Sequence, residues 1–167
     1  MNPCDDPRVW ADTLRTTVHA VFEAAAFALV DGPDPAAPWC AGDDLLAAHV
    51  RFEGPFTGIV SLSMPAALAR ELAANMLGLE PEDTEAGARG RDCVGELLNM
   101  VCGNLLPRLA GAVPAFDIGA PHAVDPDLCR ARVDAHPAAM RATAALIVEG
   151  HAVSAALLLN VLPGGAL

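Results

Sequence analysis

The chain has 167 residues, of which 53% are hydrophobic, and a formal net charge of −11 from 21 acidic and ten basic side chains. It contains no lysine and its arginines are scattered, so it lacks the cationic surface that neutralising nucleic-acid phosphates requires. No run of roughly 18 or more apolar residues suggests a membrane-spanning helix, and no glycine-rich loop of Walker or dinucleotide type points to a nucleotide cofactor.

The length suits one domain over residues 1–167. Residues 1–7 are acidic and lack the apolar core of a signal peptide, so a cytoplasmic protein is expected. The five cysteines are Cys4, Cys40, Cys93, Cys102 and Cys129. None forms C-x-x-C or pairs with histidine at zinc spacing, so reduced thiols and no metal site are expected.

In chain order, a first helix is predicted over residues 7–29. Asp6 serves as N-cap, Pro7 takes the first helical position, and Trp10, Leu14, Val18, Val21, Phe22, Ala25 and Leu29 form the apolar face. His19 reads as a surface or half-buried residue beside Glu23 rather than a ligand. Residues 31–38 carry turn chemistry. Two strands follow, over 45–52 and 56–64, joined at 53–55. In the second, Phe56, Gly58, Val60, Leu62 and Met64 share the face expected to meet helices. Thr57, Ile59, Ser61 and Ser63 share the other face, which is expected to be at least partly wet. Ser63 lacks the G-x-S-x-G elbow of a nucleophile and reads as strand surface or a cap.

Pro65 introduces a second helix with Leu68, Ala69, Leu72 and Met76 on its apolar side, and Gly78 stops it. After an acidic connection over 80–85, a third helix begins at 86 or 91 and runs to about 109. Gly87, Gly90 and Gly95 weaken its first part, and Pro107 is expected to kink or end it. Residues 112–126 read as irregular or short edge strand because of their prolines, with His122 in a loop. Residues 128–135 suggest a strand. Residues 139–148 and 152–161 suggest a hairpin turning at 149–151. This order implies a two-layer α+β domain with a largely antiparallel sheet.

The third helix carries two stripes. At 100° per residue, Val94, Leu97, Leu98, Val101 and Leu105 fall on one side. Asp92, Glu96, Asn99 and Gly103 fall on the other. The apolar stripe explains the helix; the polar one needs its own account. Asn competes for backbone hydrogen bonds, and a glycine inside a helix costs about 1 kcal/mol relative to alanine. Gly103 offers a bare backbone for close approach. Glu96 and Asn99, three apart, emerge side by side, an anion next to a group with both donors and an acceptor. From spacing alone, the plainer reading is an ordinary solvated face.

Asp92, Glu96, Asn99 and Gly103 resemble the D-x-x-x-E-x-x-N-x-x-x-G signature of the CheC/CheX/FliY chemotaxis phosphatases. The preceding strand 58–65 and helix 69–78, joined through Met64-Pro65, are similar to that family's lead-in. The similarity runs over about residues 50–109. Only one E-x-x-N is present, as in CheX-like members: Glu71 and Asn75 are spaced by four, and Glu23 is followed by alanines. Pro107 departs from the pattern, which continues the helix.

The resemblance implies a CheX-like fold with two long helices packed on a largely antiparallel sheet. It also implies a phosphatase acting on the aspartyl phosphate of a response-regulator receiver domain such as CheY. Glu96 would bind the receiver's active-site lysine and Asn99 would orient the attacking water. Asp92 and Gly103 would contact the partner. Mg²⁺ would belong to the receiver, and this chain would need no cofactor of its own. Homodimers are known in such families. The alternatives are a non-catalytic receiver-binding adapter or scaffold on the same fold, and a flagellar switch-type component.

Overall fold

A computed structural model describes residues 6–31, 39–110 and 116–160. Helix α1 (Pro7–Ala26) is followed by β1 (Leu45–Glu53), β2 (Gly58–Pro65), α2 (Ala66–Leu77) and α3 (Thr84–Ala110). Short strands β3 (Asp117–Ile118) and β4 (His122–Val124) then lead to α4 (Pro126–Ala135), a 3₁₀ turn (Ala138–Met140) and the hairpin β5 (Arg141–Val148) and β6 (His151–Leu159).

All strand pairs are antiparallel, in the order β3-β1-β2-β6-β5, with β4 also pairing along β1. Because side chains alternate, the register sorts them into two faces. Val50, Phe52, Val60, Leu62, Met64, Ala155, Leu157, Ala144 and Leu146 point to the side that carries α1 and α3, and all are buried. The expected α+β architecture of helices on a largely antiparallel sheet is therefore the observed one.

Helix α1 begins as its sequence predicts: the Asp6 carboxylate accepts from the Arg8 N–H at 2.9 Å, with Pro7 in the first turn. It ends at Ala26, earlier than expected, because Phe27 turns into the left-handed region (φ 52°) and the chain leaves to pair with the β5–β6 turn. Val30 bridges Val148, the Asp31 N–H donates to the Ile147 carbonyl at 2.9 Å, and the Leu29 N–H donates to Glu149 Oε1 at 2.6 Å. Leu29, expected on the apolar face, is consequently exposed.

Residues 128–135 are helical, not a strand. Asp125 accepts from the N–H groups of Asp127 and Leu128, both at 3.0 Å, and Pro126 stands at the first helical position. Pro126 starts a helix here rather than breaking a strand. Cys129 and Val133, one turn apart, are its buried residues. This helix also corrects the expected wet face of β2. Ser61 is 4% and Ser63 5% exposed, beneath α4 and residues 39–40. Their hydroxyls hydrogen-bond the thiols of Cys129 and Cys40, and Ser154 Oγ accepts from the Cys40 N–H at 2.7 Å.

Pro107 does not end α3, which continues to Ala110. The turn after it is held from outside the helix: Leu105, Leu106 and Leu109 are buried, and Arg108 Nη1 donates to Thr17 Oγ1 of α1 at 2.9 Å. Among the described residues, no helix is long and apolar enough to cross a membrane.

Candidate functional site

Helix α3 lies between α1 and α2 and over β1 and β2, so one of its sides is fully enclosed. Its four glycines stand in different surroundings. A Cβ on Gly90 would sit 3.7 Å from Ala69 Cβ of α2, and one on Gly87 would lie 3.2 Å from the Arg70 guanidinium. One on Gly95 would meet Pro121 Cγ at 3.2 Å, tighter than side chains ordinarily approach. Gly95 is thus what lets the residues around Pro121 sit close against the helix. Gly103 differs: a Cβ there would meet nothing within 4 Å. No packing requirement explains it.

The polar residues also divide. Asp92 is engaged within the helix, its carboxylate 3.3 Å from Arg89 Nη1 one turn away. Asn104 donates to the Met100 carbonyl at 2.8 Å. Glu96 is exposed and Asn99 half-buried, and among the described residues neither carries a hydrogen bond or an ion pair. An unpartnered Asn on a helix competes with the backbone without return. Its carboxamide is nonetheless available, next to a free carboxylate, on a helix whose other side is buried in the core. The ridge Glu96–Asn99–Gly103 is therefore present as the spacing predicts, with Asp92 at its end but tied to Arg89.

Three hollows flank the ridge. A cleft of about 700 Å³ runs between α3 and the β1–β4 edge, where Asp92, Gly95, Glu96, Pro121, Val124 and Asp125 meet. A second of about 340 Å³ lies between α3 and the end of α2, with Ala73, Met76, Leu77 and Cys93 below Arg89, Asp92 and Glu96. A third brings Ile118 to Pro121 alongside Asn99 and Met100. These walls are not legible in the sequence, since no spacing connects Leu77 or Pro121 to Glu96. The one available signal was Gly95, a small residue in a helix where close approach is needed.

Burial pushes the thiols of Cys93 and Cys102 up to about 12, so at neutral pH both are protonated and neither serves as a nucleophile. The ridge itself, a carboxylate beside a carboxamide, can bind, orient and polarise. Among the described residues, no group of three or more His, Cys, Asp or Glu side chains is arranged to hold a metal ion.

The α+β domain has the fold of the CheX, CheC-like and FliY structures. The family model described as chemotaxis phosphatase CheX matches residues 46–141, and the chain belongs to that family. Among solved structures, a CheX chemotaxis protein from Desulfovibrio desulfuricans is 20% identical, with 90% of this chain and 99% of that chain covered and a TM-score of 0.59. The CheX–CheY–BeF₃–Mg complex from Borrelia burgdorferi is 16% identical, with 91% and 98% covered and a TM-score of 0.62. FliY from Thermotoga maritima is 12% identical, with 96% and 92% covered and a TM-score of 0.55. At these identities the structures show the shared fold. Comparison of the sequence with curated proteins finds no match.

Proposed function

We propose that this chain hydrolyses the aspartyl phosphate of a response-regulator receiver domain. The observation that carries this reading is the pair of free side chains, Glu96 and Asn99, adjacent on a helix whose opposite side is buried in the core. Family membership supports it, since the family is described as a phosphatase. So does the Borrelia complex, in which a CheX of the same fold is bound to CheY.

The chemistry suits such a site. An acyl phosphate is already activated, and phosphoryl transfer has a loose transition state that gains mainly from positioning and charge stabilisation. Asn99 holds a water in line with the phosphorus. The water oxygen attacks, the bond from phosphorus to the aspartyl oxygen breaks, and carboxylate and inorganic phosphate leave. Glu96 pairs with a lysine of the receiver and fixes the approach. The receiver supplies Mg²⁺. Asp92 and Gly103 border the contact, Gly103 by letting the partner reach the backbone.

Receiver domains from the same genome, phosphorylated with a small phosphodonor, provide the test. Decay of the phospho-form is followed with the wild type, Asn99→Ala and Glu96→Ala. Asn99→Ala lowers turnover by about 10²–10³ with binding nearly intact, because an aimed polar group acts at the transition state. Glu96→Ala chiefly weakens binding. Equal loss of binding and turnover in Asn99→Ala contradicts its role. If a receiver binds without faster decay, the chain is an adapter on a phosphatase fold.

A further inference from the structure

We infer that the hollow between α2 and α3 seats an apolar side chain of the receiver, with Leu77 as its anchor. This rests on the receiver-docking reading of Glu96 and Asn99. The polar ridge alone is a poor source of affinity. An exposed ion pair is screened by solvent and salt. Interfaces draw most of their energy from a few large side chains buried beside polar contacts.

The structure places such a surface against Glu96. Leu77 is the last residue of α2 and is 51% exposed. Gly78, in the left-handed region (φ 67°), turns the chain away and leaves the leucine uncovered. Met76 and Cys93 meet with their sulfurs 3.5 Å apart, and with Ala73 they complete an apolar floor. The rim is formed by Arg89, Asp92 and Glu96, with Arg89 already committed to Asp92. An apolar floor with one free carboxylate on its rim complements an apolar side chain placed beside a lysine. A receiver that brings a lysine to Glu96 covers Leu77 in the same step. On the other side of the ridge, the residues around Pro121 stand against Gly95, so the surface there is set by a wall rather than an exposed large side chain.

The test uses the full chain and the receiver whose phospho-form it destabilises. Initial rates against receiver concentration give KM and kcat for wild type, Leu77→Ala, Leu77→Asp and Asn99→Ala. Sedimentation of each variant reports its association state, and its thermal midpoint reports folding. The expected result for Leu77→Asp is a KM raised about tenfold, with kcat within about twofold and an unchanged midpoint. Leu77→Ala gives a smaller rise, and Asn99→Ala the opposite split. An unchanged KM for Leu77→Asp, while Asn99→Ala still loses turnover, overturns the anchor and leaves the phosphatase reading standing. A change in association state in place of KM makes the occupant a second copy of this chain and also overturns it. Full turnover in Asn99→Ala removes the underlying reading and the anchor with it.

Discussion

The two sides of α3 are built from the same turns of one helix, yet different things account for them. On one side Val94, Leu97, Leu98, Val101 and Leu105 are at most 1% exposed and answer to the sheet and the neighbouring helices. On the other, Glu96 and Asn99 have no partner among the described residues, and Gly103 borders open space. The first side is what the fold needs. The second spends helix propensity on nothing inside the chain, and that mismatch marks it as a surface for another molecule. Stability and function should therefore separate cleanly along this one helix.

The largest effect expected is on the packed side. Leu98→Ala should lower unfolding stability by about 2–5 kcal/mol, read from a urea midpoint. Phosphoryl decay per folded molecule should be unaffected. Asn99→Ala, one residue further on, should shift stability by less than about 0.5 kcal/mol while removing most of the turnover. If the two variants fail to split in this way, the division between the sides is wrong.

Gly103→Ala sharpens the comparison further. Since a Cβ there meets nothing, the substitution should raise stability by about 0.8–1 kcal/mol while weakening receiver binding. A gain in stability with unchanged binding would remove Gly103 from the site. By contrast, Gly95→Ala has to displace Pro121 and should not stabilise.

The smallest effect lies on the outer face of the sheet. Burial, and then the nearby charges of Arg132, Arg51 and His122, hold His49 below the ordinary histidine value. Its neutral ring accepts at Nδ1 from Arg132 Nη1, 3.3 Å away, which ties α4 to β1. As pH falls through the ordinary histidine value of about 6.5, the unfolded chain takes up this proton first. The stabilisation from neutral His49 is complete above that value and is lost below it. His49→Gln should flatten this part of the profile of thermal midpoint against pH, by a small amount because the ring is only partly buried.

How much of this could be read beforehand follows the same division. The helices and strands of the inner layer announce themselves by periodicity, and so does the ridge, because both stripes of α3 share one local geometry. The outer face did not. Ser61, Ser63 and Ser154 look like solvent-facing positions, and α4 opens with a proline and buries only Cys129 and Val133. Burying those hydroxyls is tolerated because each finds a thiol or an N–H from segments distant in sequence. The walls around Glu96 were hidden for the same reason, since Leu77 and Pro121 reach it only through tertiary packing. Past Pro107, α3 is likewise held by a contact distant in sequence, Arg108 donating to Thr17, 91 positions before it.

Pro107 leaves one further mark on the ridge. Proline has no N–H, so the carbonyl four residues before it loses its ordinary helical donor. That carbonyl belongs to Gly103. Read from Glu96 through Asn99 to Gly103, the exposed ridge thus presents a carboxylate oxygen, a carboxamide oxygen and a backbone oxygen released from the helix ladder. These oxygens stand one helical turn apart, so the proline extends the ridge by one acceptor without adding a side chain to it.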